Sequence, residues 1–174
     1  MPHFLHRAAW NSTVIAILAA CIGCETASPV APVVDPAAAP EAASFITVSA
    51  DAPAVGTVVT VVANADRAGG TSYGSFTAHL SYDAARLEFV DEFALGGGLR
   101  ALHVIRGTIA VAGASAGSAG FADGRMFGVR FRVLAARPFR AMSLRMDELN
   151  GVDFTPQLGR LSSRASIAVD ASIK

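Results

Sequence analysis

The chain has 174 residues, enough for one domain of ordinary size with an appendage. Its 14 basic residues balance 14 acidic ones, so it lacks the basic surface that nucleic-acid binding by counterion release requires. With 52% hydrophobic residues and only two cysteines, Cys21 and Cys24, it is neither a disordered acidic chain nor a disulfide scaffold.

No acidic residue precedes Glu25, and Arg7 stands ahead of an apolar stretch from Ala8 to Ala20 that Asn11-Ser12-Thr13 interrupts. That stretch is shorter than the roughly 20 apolar residues a membrane-spanning helix needs. A basic start, a short apolar core and a small-residue exit describe a secretory signal peptide over residues 1–20. The exit Leu18-Ala19-Ala20-Cys21 resembles the lipobox of bacterial lipoproteins. The resemblance implies cleavage before Cys21, a diacylglycerol on its thiol and acylation of the new N-terminus. Several acyl chains anchor firmly where one is marginal. The expected location is therefore the cell envelope, lipid-anchored at the outer membrane or cell surface, since Ile22 rather than Asp follows the cysteine. Residues 21–44 are rich in Pro and Ala without periodicity. They read as an extended tether rising about 3.1 Å per residue, with a reach of roughly 70 Å.

Residues 45–172 read as one all-β domain. Phe45-Ile46-Thr47-Val48-Ser49 opens it, and Thr57 to Asn64 follows a Pro53/Gly56 turn. Phe76, Ala78, Leu80 and Tyr82 alternate with Ser75, Thr77, His79 and Ser81, which separates a buried face from an open one. Leu87 and Phe89 continue inward after the Asp83-Ala84-Ala85 turn. The same signature recurs at Leu102/Val104, Ile109/Val111, Phe127/Val129/Phe131/Val133, Met142/Leu144/Met146 and Ile167/Val169. Gly-rich breaks at 69–70, 96–98, 117–124 and 151 come too often for helices of ordinary length. The pattern predicts an eight- or nine-stranded β-sandwich with jelly-roll-like topology, whose core needs neither metal nor disulfide.

Candidate chemistry is sparse. Gly113-Ala114-Ser115-Ala116-Gly117 satisfies G-x-S-x-G, but a nucleophile elbow needs a following helix and a later histidine, and none lies beyond His103. A strand end in a Gly/Ala-rich chain explains the match. His79 and His103 fall on outward positions without a partner at metal-ligand spacing. Asp147, Glu148, Asn150 and Asp153 cluster around a turn and could offer oxygen ligands to calcium, although no D-x-D-x-D-G loop occurs. Arg125, Arg130, Arg132, Arg137, Arg140 and Arg145 give this half a basic stripe, a solvated face or a surface for an acidic partner. No cofactor is implied.

Four phrases in order carry a resemblance. Val55-Gly56-Thr57-Val58-Val59-Thr60-Val61, Leu80-Ser81-Tyr82-Asp83-Ala84-Ala85-Arg86-Leu87-Glu88-Phe89-Val90, and Gly107 to Ser115 with Asp123 to Leu134 resemble successive strands of the cohesin domain, over roughly residues 45–170. The resemblance implies a non-catalytic protein-docking module whose partner is dockerin-like, held on the outward side of the strand before Tyr82-Asp83. On this chain that side presents Ser75, Thr77, His79 and Ser81, with Ser75 and Thr77 where well-known cohesins place an Asn and an Asp. The neighbouring strand offers the flat series Ala110, Ala112 and Ala114. The alternative is the polysaccharide binding of sister families, which stacks sugars on exposed aromatic faces. Trp10 leaves with the signal peptide and Tyr82 points inward, so Tyr73 is the one stacking candidate.

Overall fold

Each alternating segment forms a strand. The computed structural model describes residues 42–66, 72–121 and 123–173, with the side chains of 42 and 160–165 left aside. The expected signal peptide, its Cys21, most of the tether and the 69–70 break lie outside these residues. The strands are β1 (Ala42–Val48), β2 (Val58–Ala65), β3 (Tyr73–Ser81), β4 (Leu87–Phe93), β5 (Leu99–Ile105), β6 (Thr108–Ala114), β7 (Arg125–Val133), β8 (Ser143–Gly151) and β9 (Leu161–Val169). A short 3-10 turn at Leu158–Arg160 precedes β9. Five strands form one sheet in the order β4-β7-β2-β1-β9, and four form the other in the order β5-β6-β3-β8. Pairing is antiparallel except between β1 and β9. The expected all-β sandwich is what forms. β1 begins at Ala42, three residues ahead of the expected domain start.

The core lies between the sheets. Phe127, Val129, Phe131 and Val133 of β7 point inward from the first, and Phe76, Ala78 and Leu80 of β3 from the second. The rings of Phe76 and Phe127 stack across the interior at 6.2 Å, and Phe121 meets Phe76 edge-on at 5.2 Å. Tyr82 caps Phe131 at 4.7 Å. Such offset and edge-on pairs add to the gain from burying the rings. Opposite Phe76 on β6 stands Gly113, where a Cβ would lie 2.2 Å from the Phe76 ring. That glycine makes room for the aromatic.

Three expected core positions are open instead. Ile167 and Val169 are exposed because β9 is an edge strand beside an open cleft lined by Asp51, Pro53 and Phe139. Val104 is exposed because β5 is an edge strand too, and its partner Leu102 is half-buried. An edge strand packs on one neighbour only, so alternation along it buries less than alternation at a sheet centre.

Candidate functional site

The outer face of the β5-β6-β3-β8 sheet is a ladder of four rows fixed by register. Along it run Leu99, Ala114, Ser75 and Asn150, then Ala101, Ala112, Thr77 and Glu148. His103, Ala110, His79 and Arg145 follow, then Ile105, Thr108, Ser81 and Ser143. All four residues expected to meet a partner, Ser75, Thr77, His79 and Ser81, share this face and are half-buried in it. β6 supplies a floor of small side chains, with Ala112 and Ala114 exposed. β3 and β8 supply a polar flank, and β5 an apolar margin.

The flank owes its density to a bulge. β8 shifts register between its pairings with Thr77 and Ala78, so Asp147 is an extra residue and both Asp147 and Glu148 face outward. Met146 and Leu149 are consequently both buried. Glu148 accepts from Asn150 at 2.7 Å and from the Thr77 hydroxyl at 3.5 Å, while the same Asn150 amide donates to Ser75 Oγ at 3.0 Å. Asp147 lies 2.5 Å from His79 Nδ1, and Arg145 Nε reaches its other oxygen at 2.8 Å. A carboxylate only accepts, so in this contact Nδ1 is the donor. The arrangement is a preset array of donors and acceptors beside a flat apolar floor. It suits a protein surface, because charged partners already held in place lose little side-chain freedom on binding.

Other expected residues fall elsewhere. Tyr73 is 1% exposed, so it cannot stack on a sugar. A bulge at Gly74 shifts the phase of β3 and turns Tyr73 inward, where its hydroxyl donates to the Asp66 carbonyl. Asp147, Glu148, Asn150 and Asp153 do not converge: Asp153 accepts from Thr155 Oγ1 at 2.6 Å while the other three serve the β3 flank. Among the described residues no group of three or more His, Cys, Asp or Glu side chains could hold a metal. β6 ends before Ser115, and the chain turns at Ser118–Ala119 towards β7 with no helix, so the G-x-S-x-G stretch is a strand end. His103 is exposed on the β5 margin.

The arginine stripe divides among partners. Arg130 grips Asp91 through two bonds of 2.6 and 2.5 Å, and this guanidinium holds the Asp91 carboxyl below its ordinary pKa. Arg132 stands 3.7 Å from Glu88 and Arg125 3.9 Å from Asp170. Arg145 lies on the other sheet, in the site itself. Sequence reasoning missed Arg100. Its side chain turns off β5 to donate to the carbonyls of Met126, Leu95 and Gly96 at 2.5, 2.8 and 3.1 Å, with its guanidinium 5.0 Å from the centre of the Phe121 ring. Burial lowers its pKa from the ordinary guanidinium value, against the pull of Glu92.

No protein-family model matches the sequence, and no curated protein does. Solved structures do. A type II cohesin from Bacteroides cellulosolvens superposes with a TM-score of 0.53 at 13% identity, covering 74% of this chain and 99% of that one. The seventh type I cohesin of scaffoldin B from Pseudobacteroides cellulosolvens gives 0.51 at 18%, covering 74% and 93%. The sixth cohesin of scaffoldin B from Acetivibrio cellulolyticus, solved in complex with a mutant dockerin, gives 0.52 at 10%, covering 74% and 99%. The fold is that of a cohesin module. Within this cohesin fold, the four-stranded sheet carries the ladder described above, and the five-stranded sheet carries the Arg130–Asp91 and Arg132–Glu88 pairs.

Proposed function

We propose that the chain is a non-catalytic docking module of the cell envelope that holds a dockerin-like protein partner on the outer face of the β5-β6-β3-β8 sheet. The carrying observation is that face itself: an exposed alanine floor flanked by a ready-made hydrogen-bonding array, on a fold whose solved examples include cohesins in complex with dockerins. A flat floor admits a helix or sheet face of a partner, and Ser75, Thr77, Glu148 and the His79–Asp147–Arg145 cluster supply polar anchors. Burial of Tyr73 removes the one aromatic on which the polysaccharide alternative rested. In this reading Cys21 is the lipidated residue, the Pro/Ala tether stands the domain off the membrane, and the protein is exported.

The decisive experiment replaces Ala112, the exposed centre of the floor, with Arg. The full chain made unlipidated by Cys21→Ala is used as bait against envelope and secreted fractions, with calcium and with chelator. The expected result is a stoichiometric partner that the parent retains, that chelation releases, and that Ala112→Arg loses while its far-UV circular dichroism is unchanged. Recovery of the same proteins by both baits overturns the docking face.

A further inference from the structure

β5 has a free edge. β6 pairs with one side of it, and no described strand pairs with the other. Its large apolar residues are open to water, Leu99 at 83%, Ile105 at 57% and Val104 at 41% exposure. Its one charged side chain, Arg100, is taken up by the carbonyls of Met126, Leu95 and Gly96. A regular, apolar edge without free charge is a template for another strand. The other edges are blunted. β4 lines up Glu88, Asp91 and Glu92, β8 is bulged and carries Arg145, Asp147 and Glu148, and the β1–β9 pairing is broken by a register shift between Ser44 and Ile46.

We propose that β5 pairs antiparallel with β5 of a second copy of this chain, about a two-fold axis through Leu102. The strand runs seven residues, Leu99–Ile105, and Leu102 is its centre. Only that register pairs all seven. It sets Leu99 against Ile105, so the two most exposed apolar residues cover each other, Arg100 against Val104, and Leu102 against its own copy. His103 meets Ala101, and the two imidazoles do not face each other. Moving the axis to His103 opposes imidazole to imidazole and leaves Leu99 unpaired. The contact is isologous and closed, so it stops at a dimer. Directly opposed residues of an antiparallel pair point to one face, so the two four-stranded sheets merge into one of eight with both outer faces on the same side. A dimer of this geometry presents two candidate docking faces together, which favours a bivalent partner. The pairing itself needs no partner and stands whether or not the docking reading holds.

The test uses purified full chain carrying Cys21→Ala and Cys24→Ala. Differently tagged Ala101→Cys and His103→Cys chains are mixed under oxidation. Opposed Cβ atoms in a strand pair lie about 4.5–5.5 Å apart and diagonal ones farther, so disulfide yield should exceed that of a Leu99→Cys/His103→Cys mixture by about tenfold. A single strand pair is a small interface, so sedimentation equilibrium is run at about 0.1–1 mM, where the parent should be partly dimeric. Leu99→Lys with Ile105→Lys should be monomeric there with an unchanged far-UV spectrum. A monomer at every concentration, or a dimer in which the two cysteine mixtures cross-link equally, overturns the proposal. If the lysine variant does not fold, the cysteine mixtures decide alone.

Discussion

Asp91, Asp153 and Asp170 are surface carboxylates that the fold holds in their charged form. Arg130 does this for Asp91, the Thr155 hydroxyl and amide for Asp153, and the Ser172 hydroxyl and amide for Asp170. In each the folded pKa lies below the ordinary value of 3.8. The folded state therefore binds fewer protons than the unfolded one near that pH. Their stabilising contribution is present in full above the ordinary value and is lost as pH falls through the lowered one. Urea midpoints measured from pH 7 to 2 should accordingly fall below about pH 4 in the parent. Asp91→Asn should lower the neutral midpoint slightly and flatten part of that fall, the smallness following from the water contact that both side chains keep, at 45% and 44% exposure. An acid slope identical in Asp91→Asn and parent would mean that the Arg130 grip contributes nothing. The first partnership was not legible in the sequence, because Arg130 and Asp91 lie 39 positions apart and meet only through β4–β7 pairing, whereas Asp153–Thr155 and Asp170–Ser172 are local contacts two positions apart.

At the scale of strands, alternation revealed the buried and open faces correctly in β3 from Phe76 to Ser81 and in β7 from Phe127 to Val133, but not on the edge strands, where Val104, Ile167 and Val169 are open. It also failed at two bulges. Counting back by twos from Phe76 puts Tyr73 outside, but the bulge at Gly74 reverses the phase and buries it. Counting forward from Met146 puts Glu148 inside, but the bulge at Asp147 sends two carboxylates outward and builds the polar flank. The spacing of three between the apolar Met146 and Leu149 was the available signal. Gly74 permits the first bulge because a Cβ there would lie 2.8 Å from the Gly151 carbonyl oxygen and 2.9 Å from Val152 Cα, both backbone atoms that cannot swing aside. Gly74→Ala should therefore cost about 1–3 kcal/mol in urea denaturation and expose Tyr73 to quencher. Gly117→Ala, which meets nothing within 4 Å, should change stability by no more than about 0.5 kcal/mol. Equal effects of the two substitutions would refute this account of the bulge.

The whole domain rests on one core shared by both sheets, and this makes its unfolding a test of its unity. Phe76 belongs to the four-stranded sheet and Phe127 to the five-stranded one, and their stacked rings join the halves, with Phe121 closing against Phe76. Among the described residues one buried apolar cluster draws on both sheets, so the sheets should unfold together. The two tyrosines of the chain report on this from the two ends of β3, Tyr73 at its first residue and Tyr82 just past its last, both buried. Because Trp10 is the single tryptophan and lies outside the domain, tyrosine signals are read best by near-UV circular dichroism. Near-UV and far-UV urea transitions should coincide in the parent. Phe127→Ala removes a fully buried ring, for which the cost is about 3–5 kcal/mol, against a total stability of about 5–15 kcal/mol for a domain of this kind. The variant should shift both transitions to lower urea by the same amount while keeping them coincident. A variant whose tyrosine signal is lost well before its β-signal would show that one sheet survives without the other, and the shared core would then be the wrong account of what holds the sandwich together.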